Sequence, residues 1–172
     1  LLFKETKDQK VEQAYNAIGS AINELGANGV ATEVNIANFA TRVGSLPDVL
    51  KPSIADALAL GAGFEESGIQ AEIAGRAYSI LLNQASTETD KFGEVMGIAA
   101  DEVSRLINDD PLEFMIKFAD GLKGMNATDT AQTLNYLGVQ ADGTNKILGA
   151  LSNNTQRFRD LLELSNRSMA DG

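Results

Sequence analysis

Two adjacent carboxylate pairs, Glu65-Glu66 and Asp109-Asp110, are where this sequence comes nearest to chemistry. Two carboxyls flanking a glycosidic bond can serve as the acid and base of a hydrolase. Neighbouring residues on a helix point apart, however, so neither pair would face a single substrate. Asp110 also has a simpler task, as the cap of the helix that follows it. The segment Gly61-Ala-Gly63-Phe-Glu-Glu66 holds half of a dinucleotide-binding fingerprint, but it lacks the third glycine and follows no strand. Packing of small residues between helices accounts for it better. Asp142-Gly-Thr-Asn-Lys146 has the start of a calcium loop without the alternating acids or the distal glutamate, and it reads as a helix start.

The sequence contains no histidine and no cysteine. The commonest general base, the Ser-His triads, thiol nucleophiles, disulfides and thiolate zinc sites are therefore all missing. The expectation is a non-enzymatic chain with no cofactor and no metal. The formal net charge of -10 sets this surface against phosphate backbones and anionic lipid. Its tightest basic spots, Lys7 with Lys10 and Arg157 with Arg159, are interleaved with acids or neighbour them. Nucleic acid is thus not an expected partner. No run of 18 or more apolar residues occurs, so membrane contact by this segment is not expected either. The opening Leu1-Leu2-Phe3-Lys4-Glu5 carries no initiator Met or signal-peptide pattern, and both ends read as boundaries within a longer protein.

The elements that would carry these residues are helical. Apolar residues make up 44% and charged residues 22% of the 172, a balance that permits a packed core. Strand signals are weak and helical periodicity recurs. The first helix is expected over residues 5–25. Val11, Ile18 and Leu25 are spaced by seven, as are Tyr15 and Ile22, and Ala14 and Ala21 complete the stripe. This stripe either folds back on the core or forms a seam with the same helix of another copy, giving a homo-oligomer. A second helix is expected over residues 32–43, capped by Thr32 and burying Ile36, Phe39, Ala40 and Val43, with Gly44 as its stop. Pro52 suits the first turn of the third helix.

Three joints share a pattern: Gly68-Ile-Gln-Ala-Glu72 with Arg76, Gly97-Ile-Ala-Ala-Asp101 with Arg105, and Gly138-Val-Gln-Ala-Asp142 with Lys146. The glycine ends a helix in the left-handed conformation, and the aliphatic residue after it packs back. The acid opens the next helix and pairs with the base four residues on. Unequal spacing between the joints argues against a solenoid. Further on, Asp110-Pro111-Leu-Glu113 starts a helix bearing Phe114, Met115, Phe118 and Leu122, which Gly124 closes. Thr128 opens the next, with Leu134 and Leu137 inward. The last begins near Asn154 and carries Phe158, Leu161 and Leu162. The fold class expected is all-α, a compact array of about nine or ten short helices after a longer N-terminal helix. The division expected is an amphipathic helix over residues 1–29 and a helical domain over residues 30–172.

Several phrases in order carry a family resemblance. They are Asn35-Ile-Ala-Asn-Phe-Ala-Thr-Arg-Val43, Ser53-Ile-Ala-Asp-Ala-Leu-Ala-Leu-Gly-Ala-Gly63, Glu66-Ser-Gly-Ile-Gln-Ala-Glu-Ile-Ala-Gly-Arg-Ala77, Phe92-Gly-Glu-Val-Met-Gly-Ile98, the Asp110-Pro111 start, Leu134-Asn-Tyr-Leu-Gly-Val139 and Ile147-Leu-Gly-Ala-Leu151. From about Ala14 to Arg167 the chain resembles the conserved helical region of bacteriophage tail tape-measure proteins, the minor tail proteins of long-tailed phages and prophages. It departs at Ala99-Ala100, where that family often has a Ser or Thr cap. The resemblance implies a structural role in tail assembly and tail length determination, with other tail proteins or tail assembly chaperones as partners. It places the chain in the virion tail, and in the host bacterial cytoplasm during assembly. The competing readings are a generic helical protein-interaction adaptor and a module associated with a peptidoglycan hydrolase.

Overall fold

The structure, a computed structural model, describes residues 11–27 and 33–171, with side chains over 16–27 and 33–170. Among these residues ten α-helices follow one another: α1 (Val11–Ala27), α2 (Glu33–Val43), α3 (Ile54–Glu66), α4 (Ala71–Thr87), α5 (Thr89–Met96), α6 (Ala100–Asp109), α7 (Pro111–Leu122), α8 (Ala127–Leu137), α9 (Asp142–Asn153) and α10 (Thr155–Asp171). A 3-10 turn, Asp48–Leu50, lies between α2 and α3, and no strand occurs among the described residues. The fold is all-α. Over the described residues α1 has 17 residues, and α4 and α10 have the same length.

Helix α3 is buried around its whole circumference, every residue from Ile54 to Phe64 being buried and all but Asp56 being apolar or glycine. A helix of that kind has to be enclosed by others. Here α1, α2, α4 and α10 pack around it. Two glycines let two of these helices approach closely. A Cβ at Gly61 would meet the α2 carbonyl oxygen of Ile36 at 3.2 Å, and one at Gly63 would overlap the Phe158 ring of α10. An edge-to-face series of rings runs through this layer. Tyr78 of α4 lies 5.9 Å from Phe39 of α2, Phe39 lies 5.6 Å from Phe64 of α3, and Phe64 lies 5.3 Å from Phe158. Burial, and then the charge of Asp56, hold the Tyr78 phenol well above its usual pKa.

A second ring cluster joins α5 to α7, with Phe92 5.2 Å from Phe118 and 6.3 Å from Phe114. Helix α9 packs on both α4 and α7, and so connects the two halves of one continuous core. Ala21 and Leu25 of α1 belong to that same core, and Ile18 and Ile22 lie against it. The described part of the α1 stripe is therefore engaged within the chain, mainly against α10 and α3. The Val11 and Tyr15 side chains lie outside the described ones.

Several local expectations shift. Thr32, expected to cap α2, lies outside the described residues, while Ile36, Phe39, Ala40 and Val43 are buried. Helix α3 is capped by Ser53, whose Oγ accepts from the Asp56 N–H at 3.0 Å, so Pro52 stands before the cap rather than in the first turn. Helix α8 is capped by Asn126 rather than opened by Thr128. Its Oδ1 accepts from the Asp129 N–H at 2.7 Å, which sets the cap two residues earlier in the chain. Gly124 has φ 89° and completes a tight turn in which the Met125 N–H donates to the Leu122 carbonyl, a geometry that favours glycine.

Because the Phe158 ring fills the space over Gly63, Gly63→Ala should destabilise the domain by about 1–3 kcal/mol through overpacking. Urea denaturation of the variant measures this, and an unchanged midpoint would mean that α3 and α10 are not in close contact there.

Candidate functional site

Of the carboxylates singled out as candidate acids, Glu65 and Glu66 tie helices together. Glu65 accepts a hydrogen bond from the Asn35 side-chain amide of α2. Glu66, one residue on, points elsewhere and receives a two-pronged guanidinium from Arg157 of α10, at 2.9 and 2.7 Å. Arg159, two residues after Arg157, reaches Glu113 of α7 at 2.8 and 3.2 Å. This hydrogen bond and the charge of Arg159 hold the Glu113 carboxyl below its usual range, against partial burial. Residues two apart on a helix face different sides. The basic spot seen in the sequence is thus two separate ties from α10, one to α3 and one to α7. Asp110 sits at the shared end of α6 and α7 and makes no side-chain cap bond, so the cap expected of it is not formed, and Glu113 is occupied by Arg159. Gly61 and Gly63 lie inside α3, and Asp142 starts α9. Among the described residues, no group of three or more acidic side chains stands close enough together to hold a metal ion.

The three joint glycines have φ of 80°, 72° and 78° at Gly68, Gly97 and Gly138. The residue after each donates its N–H five residues back. Ile69 donates to Phe64 at 3.0 Å, Ile98 to Gly93 at 3.0 Å and Val139 to Leu134 at 2.9 Å. This is the bond that closes a Schellman helix end. Ile69 and Val139 are buried, and Ile98 packs on the core. The charge pairing varies more than the pattern predicts. Arg76 pairs with Glu72 at 3.4 Å. Arg105 bonds instead to Glu102, three residues back, at 2.9 Å, and no ion pair joins Lys146 to Asp142 among the described residues. These exposed pairs contribute little, so nothing holds them to one geometry.

Two surface features remain. Open grooves of about 590 and 500 Å³ flank the Gly68 joint, with Gln70 in both, Asn145 and Asn153 on one side and Asn38 on the other. A third groove, of about 420 Å³, lies between α5 and one face of α8. It is lined by Glu94, Val95, Met125, Asp129, Thr133 and Tyr136, and two of the five large apolar side chains exposed among the described residues, Met125 (38% exposed) and Tyr136 (49%), stand in it. Lys91 Nζ lies 5.0 Å over the Tyr136 ring, and the Tyr136 hydroxyl donates to Glu94 Oε2 at 3.2 Å. Tyr136 was not legible as a surface residue of interest. The signal was its place between Leu134 and Leu137, both inward, which turns residue 136 outward on the same helix.

An all-helical packing domain is the class that the fold and these ties define. The family described as phage-related minor tail protein matches residues 6–138. The chain belongs to that family. No curated protein and no solved structure matches it. Membership carries a structural role in the phage tail. No helix of the described residues is long and apolar enough to cross a membrane.

The joint geometry yields one expectation for all three. Gly68→Ala and Gly97→Ala should each destabilise by about 1 kcal/mol, since a Cβ there meets open space and only the backbone conformation is strained. Gly138→Ala should cost about as much, because the Gln84 amide 2.8 Å from its Cβ ends a flexible side chain that can swing aside. Denaturation midpoints of the three variants check this, and unchanged midpoints at two of them would refute it.

The family match ends at Gly138, but Phe158, Leu161 and the two arginines of α10 complete the core and its ties. A chain ending at Gly138 should therefore lose cooperative thermal unfolding. A sharp melt with an unchanged far-ultraviolet spectrum would show that the matched segment folds alone.

Proposed function

We propose that this chain is a folded, non-catalytic module of a tape-measure protein, taking part in tail assembly and in setting tail length. The observation that carries the reading is the family match over residues 6–138. Two further features support it. The most prominent carboxylates are committed to helix-to-helix ties, which suits a packing role better than a catalytic one. The helices also close on a single core, as expected of a compact body carried within a longer, extended protein. In this reading the module acts during assembly in the host cytoplasm, against other tail proteins or tail assembly chaperones, and is then held in the virion tail.

Size separates a compact module from a stretch of extended ruler. As one continuous helix the chain would span roughly 260 Å, whereas a folded domain of this length is roughly 40 Å across. Removing the module in frame from a parent phage, with tails measured by electron microscopy, should reduce the yield of tails or shorten them by no more than the smaller figure. Shortening close to the larger figure would mean that the segment is extended in the tail. Full yield of tails at unchanged length would overturn the proposal.

A further inference from the structure

The α5/α8 groove combines three properties that do not occur together elsewhere on the described surface. The first is apolar exposure. Of five large apolar side chains left exposed, Met125 and Tyr136 share this groove, with Val95 partly buried beside them, while Val34, Val49 and Ile80 lie on α2, the 3-10 turn and α4. The second is rigidity. The Tyr136 ring is held from one side by the Lys91 ammonium and at its hydroxyl by Glu94. A fixed aromatic ring offers contact area without a further ordering cost on binding. Met125 beside it is the adaptable kind of side chain that fits itself to a partner, with its sulfur accepting from the Thr133 hydroxyl at 3.7 Å. The third is charge. Glu94 and Asp129 line the groove and Glu88 borders it. The adjacent base, Lys91, is already engaged by the Tyr136 ring and by Glu88 at 3.9 Å.

The groove runs along a helix face. Asp129, Thr133 and Tyr136 follow one another at spacings of four and three, so one face of α8 forms one wall, with Met125 just before the Asn126 cap at its end, and α5 forms the other.

We propose that the α5/α8 groove docks a basic amphipathic helix of a partner protein, its apolar stripe on Tyr136 and Met125 and its Arg or Lys side chains on Glu94 and Asp129. Charge complementarity selects this occupant over a second copy of the chain, because the net charge of -10 makes two such surfaces repel. The apolar anchors select it over a purely polar peptide. The surface is a property of this chain whatever its part in tail length, and its test is read without tail assembly.

The probe is a designed helical peptide with a leucine stripe flanked by arginines, titrated into the full chain labelled with ¹⁵N and followed by amide chemical shifts. Its control has every arginine replaced by glutamate. Shifts centred on Val95, Asp129, Thr133 and Tyr136 are expected, with affinity that falls as ionic strength rises and no binding of the control. Tyr136→Ala should weaken binding by about tenfold. Asp129→Lys, which keeps every apolar contact, should also weaken it, and Val49→Ala on the 3-10 turn should not. Shifts scattered over the acidic surface, equal binding of the glutamate peptide, or full affinity in a folded Tyr136→Ala chain would each overturn the proposal.

Discussion

Enclosing α3 is the constraint from which most of this structure follows. A helix buried on every side at Ile54 to Phe64 cannot rest on one neighbour, and four helices have to surround it. Four helices of ordinary side chains would hold one another too far away. Gly61 and Gly63 remove that obstacle on two sides, letting α2 and α10 come within reach of the α3 backbone. The rings of Phe39, Phe64 and Phe158 then meet edge to face through the layer, an arrangement their quadrupoles favour. What resembled half of a nucleotide-binding fingerprint is the condition for packing this helix.

Polar groups are arranged around the same constraint. Where α3 emerges from its apolar surroundings, its last two residues are Glu65 and Glu66, and each finds a partner on a different enclosing helix. Arg157 and Arg159 belong to α10, so one helix closes the α3 layer and also reaches α7 in the second half. The two-pronged geometry of these arginine ties fixes direction as well as distance. The charges near the core are thereby spent on internal contacts. Charges and apolar side chains at the α5/α8 periphery stand exposed instead, and it is there that we propose a surface for a partner.

The family match stops short of the packed core. Residues 6–138 carry the sequence pattern of phage-related minor tail proteins, and α9 and α10 lie beyond it. Yet the Phe158 ring lies over Gly63, and α10 packs along both α1 and α3. In packing terms α9 and α10 belong with the helices of the matched segment.

Local features of the chain were legible in the sequence because short-range physics decides them. The period of apolar residues dictates helices and the faces they bury, as with Ile36, Phe39, Ala40 and Val43 of α2. A glycine followed by an aliphatic residue dictates a left-handed helix end, as at Gly68, Gly97 and Gly138. Where two local solutions cost nearly the same, the sequence did not separate them. Asn126 caps α8 in place of Thr128, and Arg105 takes Glu102 in place of Asp101. Partners across the fold were not legible at all. Arg157 lies 91 residues from Glu66 and Arg159 lies 46 from Glu113. Nothing in the residues between them encodes those distances, because such pairs form only once the helices have packed. The same holds for Tyr136 and Met125. Their types were plain from the sequence, but their sharing of one acidic groove was decided by the tertiary structure, since α5 and α8 become its two walls only when both lie on the common core.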